Sequence, residues 1–352
     1  MKNKLDLTKE SVVFRPFSFP WAYDAWLQHE QSHWLHSEVP LTEDVKDYKT
    51  KLSENERQFL TKILRFFTQG DLDIGSAYHD HYIPLFKNSE VRMMLSGFAA
   101  REALHVAAYS HLIETLGLPE STYNEFMQYG EMVEKHKYFQ DLDDMPVSEK
   151  IAVISAFGEG MQLFSSFVML LNFMRHGKLK GLGQIIAWSQ TDESMHADGM
   201  IKVYREYVKE HPNDSSSDRI KEIAKEMVAL EDKFIDLAFG MVEIENLTKE
   251  EVKEYIRYIA DRRLISMGMK GVYKIKKNPL PWVDGMLGVS HTSFFEQKVT
   301  DYSKGAMTGT WEDVWGKAAW DTSLSAIAAR TTSSKVFCTL KLAQSLTHKT
   351  SL

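Results

Sequence analysis

Two short patterns constrain this chain more than anything else in it: Glu102-x-x-His105 and Glu193-x-x-His196. Residues three apart on a helix share one face, so each pair aims a carboxylate and an imidazole in the same direction. Both pairs sit centrally in long amphipathic stretches, with aromatic and apolar residues around them. A carboxylate facing a core is costly unless it is paired or ligated. A carboxylate oxygen and a ring nitrogen one turn apart can converge on one cation, and mixed oxygen and nitrogen donors suit iron or manganese. A single Glu-x-x-His arises readily by chance. A third copy, Glu30/His33 in the polar segment WLQHEQSHW, reads as a surface coincidence.

Successive long helices fill the sequence from about residue 54 to 270. Glu54–Phe86 carries Phe59, Ile63, Phe66 and Phe67 at helical spacing, and Ser89 reads as the N-cap of a second helix that stops at Gly117. A third runs from Ser148 to near Gly177, and a fourth from Leu182 to Glu210, stopped by Pro212. Ile220, Ile223, Met227, Leu230, Phe234, Leu237 and Met241 mark the stripe of a fifth. Thr248 and Glu251 form the capping box of a sixth. Helices this long without a sustained heptad predict a large bundle. Two more carboxylates, Asp71 in FFTQGDLDIG and Glu159 in ISAFGEGMQLFSSF, lie among apolar neighbours on two further helices. Two Glu-x-x-His pairs and one carboxylate from each of two other helices compose the two-metal site of ferritin-like bundles. Four carboxylates also balance two divalent cations. The predicted fold is therefore all-α, a ferritin-like helical bundle with long helices and a two-metal carboxylate site.

Composition removes several alternatives. With 352 residues, 43% of them hydrophobic, the chain can build a core without disulfides. Its net charge of −7 argues against broad nucleic-acid binding. No apolar run looks long enough for a membrane span, the best being Phe164–Phe173, and the N-terminus lacks the apolar stretch of a signal peptide. The single cysteine, Cys338, excludes an internal disulfide framework and a cysteine-based metal cluster. These features point to the cytoplasm. Residues 1–50, rich in Trp and His, read as an N-terminal arm of loops and short helices, and 51–290 as the helical di-metal domain. Regular structure is expected to end at the NPLPW segment after Lys276, leaving 291–352 as a flexible C-terminal segment.

At these residues the sequence resembles the radical-generating small subunit of class I ribonucleotide reductase, from about Trp34 to about Trp315. Trp34 is followed by Glu38, Val39, Leu41 and Asp44, like the family's Trp-led N-terminal stretch. Glu102, His105 and Tyr109 reproduce its E-x-x-H-x-x-x-Y motif. EGMQLFSSF supplies Glu159 and Phe167, and DESMH supplies Asp192, Glu193 and His196. The resemblance implies a metal-ligand set of Asp71, Glu102, His105, Glu159, Glu193 and His196 holding two iron ions per chain, with Mn/Mn or Mn/Fe as alternatives. It implies that the metals activate dioxygen and leave a stable radical on Tyr109, in a dry pocket that includes Phe167. It assigns Trp34 and Asp192 to a transfer path from His105 to the surface. It also implies a homodimer and a separate large subunit that reduces ribonucleoside diphosphates. The lone cysteine agrees, because a complete reductase needs several redox thiols. Tyr302, in EQKVTDYSKGAMTGTWEDVW, is the candidate surface relay, within a C-terminal segment implied to dock the large subunit.

Two departures stand out. Thr191 occupies the place where many family members have an arginine before the Asp-Glu pair. The tail after residue 318 carries more basic than acidic side chains and no tyrosine. The competing readings are a two-metal oxidase of the same superfamily acting on a small substrate, an iron-storage shell and a metal-free structural bundle. Asp71, Tyr109 and the Trp34/Asp192 pair favour the reductase subunit.

Overall fold

The computed structural model describes residues 6–287 apart from Asp141 and Met241, and among these, up to residue 266, apolar residues spaced three and four apart build ten α-helices. In order they are α1 (Pro20–Gln31), α2 (Thr42–Thr50), α3 (Glu54–Ala77), α4 (Ser89–Leu116), α5 (Gly130–Tyr138), α6 (Val147–Ile151), α7 (Leu163–Arg175), α8 (Lys180–Glu210), α9 (Ser217–Phe239) and α10 (Lys249–Ser266). Among the described residues there is no β-strand, only an isolated bridge between Ile244 and Leu247. The all-α expectation holds.

Several helix ends follow the sequence. Ser53 and Glu56 make a capping box at α3, and Thr248 and Glu251 make the anticipated one at α10. Gly117 ends α4 at φ 74°, a conformation glycine adopts at little cost. Other ends differ. Asn88, not Ser89, caps α4, because its Oδ1 accepts the Val91 N–H at 3.2 Å while the Ser89 hydroxyl turns to Glu90. The first long helix stops short of Phe86: it widens into a π turn at Tyr78–Tyr82, ahead of Pro84. Helix α5 has no apolar stripe to announce it. It is held by Lys135, buried between the rings of Phe66 and Phe234 with its Nζ 2.6 Å from Glu231. Regular structure does not end at NPLPW: a short helix over 281–287 starts within that segment, with Pro281 as its first residue, the position proline tolerates best. Met241, at the end of the fifth stripe, lies outside the described residues.

The third long helix differs most from expectation. It runs from Val147 to Arg175 and is π-helical over Ala152–Gln162, between α6 and α7. It is longer and more apolar than the Phe164–Phe173 run suggested, enough to cross a membrane by length and composition, yet the apolar window that meets this test is wholly buried inside the bundle. A core helix passes the same test. Stretches of π-helix are rare and frequent at functional sites, and this one carries Glu159. At Gly160 a Cβ would fall 2.8 Å from Arg263 Nε and 3.0 Å from Ala197 Cβ. Its bare backbone lets α8 and α10 close in, and Arg263 donates to its carbonyl at 2.8 Å.

The arm fixes α8 from outside. Leu179, preceding α8 at φ 49°, offers no side-chain cap. Helix α2 supplies one instead: Asp44 accepts the N–H groups of Leu182 at 2.8 Å and Gly181 at 3.0 Å, and Asp47 that of Leu179 at 3.1 Å. Two carboxylates thus satisfy orphan donors at the positive end of the helix dipole. Asp44→Ala is expected to cost about 1–3 kcal/mol, the usual penalty for buried donors left unpaired. A fall in the urea midpoint at unchanged slope would show it; an unchanged midpoint would contradict this capping role.

Candidate metal centre

Four helical segments meet at one buried point. Helix α3 delivers Asp71, α4 delivers Glu102 and His105, the π segment delivers Glu159, and α8 delivers Glu193 and His196. None of the six is more than 1% exposed. Their donor atoms form two groups, each within 4.8 Å: Asp71, Glu102 and His105 in one, and Glu102, Glu159, Glu193 and His196 in the other. His105 Nδ1 lies 3.0 Å from Glu193, 3.6 Å from Glu102 and 3.9 Å from Asp71. His196 Nδ1 lies 2.9 Å from Glu102, 3.3 Å from Glu159 and 3.5 Å from Glu193. Glu102 and Glu193 therefore each send one oxygen toward either histidine.

The donor set fits metal ions. Both oxygens of Asp71, Glu102 and Glu193 and the Nδ1 atoms of both histidines are buried without hydrogen-bond partners among the described residues. Such unpaired groups are rare in a folded core and ask for an explanation. Burial first, then the Glu102 charge, pushes Asp71 well above the usual carboxylate range. Burial likewise raises Glu159 to about 7. For Glu102 burial also raises the pKa, but the attraction of the two neighbouring histidines outweighs it and the net shift is downward. Burial lowers both histidines, yet the surrounding carboxylates reverse this and raise each well above its ordinary value. The field that draws protons onto these rings is the field that would draw divalent cations between them.

Around this centre lie partners of the ligands. Asp192 accepts from Trp34 Nε1 at 2.8 Å and faces His105 Nε2 at 3.1 Å, so Trp34, Asp192 and His105 form one continuous chain. Arg101 completes it, donating from Nη1 to both Asp192 oxygens at 3.1 and 3.2 Å. Burial raises Asp192, but His105 and Arg101 outweigh it and the net shift is downward. An arginine thus does stand beside this aspartate, reaching from α4, while the Thr191 hydroxyl bonds the Ala187 carbonyl of its own helix.

Tyr78 and His29 also went unseen in the sequence. The Tyr78 hydroxyl donates to Glu159 at 3.0 Å, and His29 Nε2 lies 3.1 Å from His196 Nε2. Burial foremost, aided by the neighbouring His196, pushes His29 down to about 2, so its ring is neutral. The WLQHEQSHW segment held a signal of a kind: Glu30 and His33 are exposed as expected, and the residue beside them is the one that matters.

Tyr109 stands one turn beyond His105 on α4, 1% exposed, its ring centroid 6.3 Å from that of His105. Phe67 meets it edge-on at 4.5 Å, and Phe167 packs behind Phe67 at 5.5 Å. Burial and then the Asp71 charge raise its hydroxyl well above the ordinary phenol range. Tyr302 lies outside the described residues.

A bundle that brings four carboxylates and two histidines to one buried point defines a ferritin-like protein with a two-metal carboxylate site. The family described as "Ribonucleotide reductase, small chain" matches residues 11–279. The chain belongs to this family, and so is a subunit of an oxidoreductase, ribonucleoside-diphosphate reductase. It is 43% identical to a probable ribonucleoside-diphosphate reductase small subunit of Invertebrate iridescent virus 6, over 89% of this chain and 99% of that protein. Its counterpart in Invertebrate iridescent virus 3 is 45% identical, over 88% of each chain. Among solved structures, the ribonucleotide reductase R2 subunit from Clostridium botulinum shares the fold, with a TM-score of 0.71 at 22% identity over 76% of this chain and 88% of that one.

Among the described residues, Glu102 is the carboxylate common to both donor groups. Glu102→Ala should bring metal content from two ions per folded chain to below one, whereas Glu159→Ala should spare the Asp71/His105 position. Elemental analysis of samples matched by circular dichroism tests this; a Glu102→Ala chain that keeps both ions contradicts the assignment.

Proposed function

We propose that this chain generates and stores a radical on Tyr109 and passes it to a separate large subunit, which reduces ribonucleoside diphosphates to deoxyribonucleotides. The observation that carries the reading is Tyr109 itself, buried one turn from His105 beside the acid–histidine cage and walled by Phe67. Asp71, Glu102, His105, Glu159, Glu193 and His196 would hold two metal ions, iron or with manganese in one or both places. When bound, those ions would activate dioxygen, the oxidant that takes the electron.

The chain's own residues do the rest. Phe67 and Phe167 exclude water and reductants from the phenol, which a neutral radical needs in order to persist. Tyr109 gives up one electron and its hydroxyl proton, with Asp71 the charged group acting most strongly on it. Asp192 accepts hydrogen bonds from His105 and Trp34, so an electron leaving Trp34 can be coupled to passage of its Nε1 proton to Asp192. The ring of Trp188 lies 5.3 Å from that of Trp34. Arg101 keeps the Asp192 carboxylate ionised and aimed. The reading includes a homodimer in the cytoplasm, without nucleic acid or membrane. It gives residues 291–352 the docking of the large subunit and Tyr302 the last relay, both outside the described residues.

The test is electron paramagnetic resonance after anaerobic loading with Fe(II) and admission of dioxygen. A tyrosyl signal should form and disappear in Tyr109→Phe. Trp34→Phe should retain the signal while nucleotide reduction with the large subunit falls by more than roughly tenfold, about 1.4 kcal/mol in the rate-determining barrier. Full metal uptake with no radical, with manganese also tried, would overturn the reading in favour of a two-metal oxidase.

A further inference from the structure

The two metal-facing histidines are backed differently. His105 turns its outer nitrogen to a carboxylate, Asp192, at 3.1 Å. His196 turns its outer nitrogen to another imidazole, His29, also at 3.1 Å. His29 comes from α1 in the N-terminal arm, 167 residues away in sequence.

We propose that His29 is a positioning residue for the second metal position: it accepts the Nε2–H of His196, fixes that ring with Nδ1 toward the carboxylates, and so makes α1 part of the metal centre. This rests on the metal-binding part of the reading above and is independent of the radical. Four observations support it. His29 is 1% exposed, with its ring edge-on to Phe98 at 5.1 Å, while Phe98 covers the His196 ring at 4.5 Å. Arg101 Nη2 donates to the His29 carbonyl at 3.2 Å and Nη1 to that of Ser32 at 3.2 Å, so the group that clamps Asp192 also anchors the end of α1. Close approach is built in at Gly97, where a Cβ would lie 3.2 Å from Trp26 and 3.5 Å from His29 Nδ1. Finally, the tautomer that serves His196 leaves His29 Nδ1–H buried without a partner among the described residues, a cost that packing alone gives no reason to bear.

A consequence is asymmetry. A carboxylate behind a ligating histidine makes it a stronger donor than a neutral imidazole does. His105 is therefore the stronger donor of the two histidines, and the His196 position depends on an arm that lies outside the four-helix core.

Mn(II) titration without dioxygen, following loss of the free-ion resonance signal, reads the two positions with no radical chemistry. In His29→Phe, which keeps a ring against Phe98, one position should retain its affinity and the other weaken by roughly 10–100-fold, the usual effect of losing such a partner. His29→Gln, whose amide oxygen can accept the same proton, should recover most of that loss. His29→Leu serves if the phenylalanine variant does not fold. Two unchanged affinities in His29→Phe, or equal weakening of both with no recovery in His29→Gln, overturn the proposal. A wild-type chain that binds no metal sinks the proposed function itself, while a metal-loaded chain lacking the Tyr109 radical leaves this inference standing.

Discussion

Five carboxylates, Asp71, Glu102, Glu159, Asp192 and Glu193, are buried within one region of this bundle, each at most 1% exposed. Two like charges about 4 Å apart repel by roughly 4 kcal/mol even at an effective dielectric of 20. Apolar packing does not remove that term, so the site answers it with positive charge or by holding protons, as the raised Asp71 and Glu159 carboxyls do. Arg101 answers one carboxylate, Asp192, through both of its oxygens. The other four face two imidazole nitrogens and one another, a balance that two divalent cations would complete. The long helices follow from this requirement. Only elements that cross the whole core can deliver acids from four directions to its centre while keeping their backbone groups paired.

Helix α8 shows how finely the delivery is set. Asp192 and Glu193 are adjacent in sequence, and the turn of the helix between them separates their roles. Glu193 points inward to both histidines, while Asp192 points toward Trp34 and Arg101. The arm then closes this outer side: α2 caps α8, Trp34 stacks near His105 at 5.9 Å, and α1 sets His29 behind His196. The region from residue 20 to 50 is thus as much a part of the centre as the core helices.

The sequence displayed the parts of the site that obey helical periodicity. Two Glu-x-x-His pairs are legible because one turn of helix is a local rule, and Asp71 and Glu159 because acids among apolar neighbours are conspicuous. Arg101 was in plain view next to Glu102, but nothing local tells that its guanidinium crosses to α8 and holds Asp192. His29 and Tyr78 act through contacts 167 and 81 residues distant, which leave no spacing to read. Helix α5 was hidden for a related reason: its anchor is a buried lysine, a residue type that signals surface. The close approach of α8 and α10 at Gly160, within the π-helical stretch that carries Glu159, is likewise a tertiary matter.

The central claim is that the buried acid–histidine cage is a two-cation site. Anomalous diffraction from metal-loaded crystals, collected on either side of the metal's absorption edge, addresses it most directly. Two peaks roughly 3.5–4 Å apart, the usual separation in two-metal sites, should lie one among Asp71, Glu102 and His105 and the other among Glu102, Glu159, Glu193 and His196. No peak inside the cage in a crystal loaded with excess metal, with the same side chains closed on one another, would contradict the account.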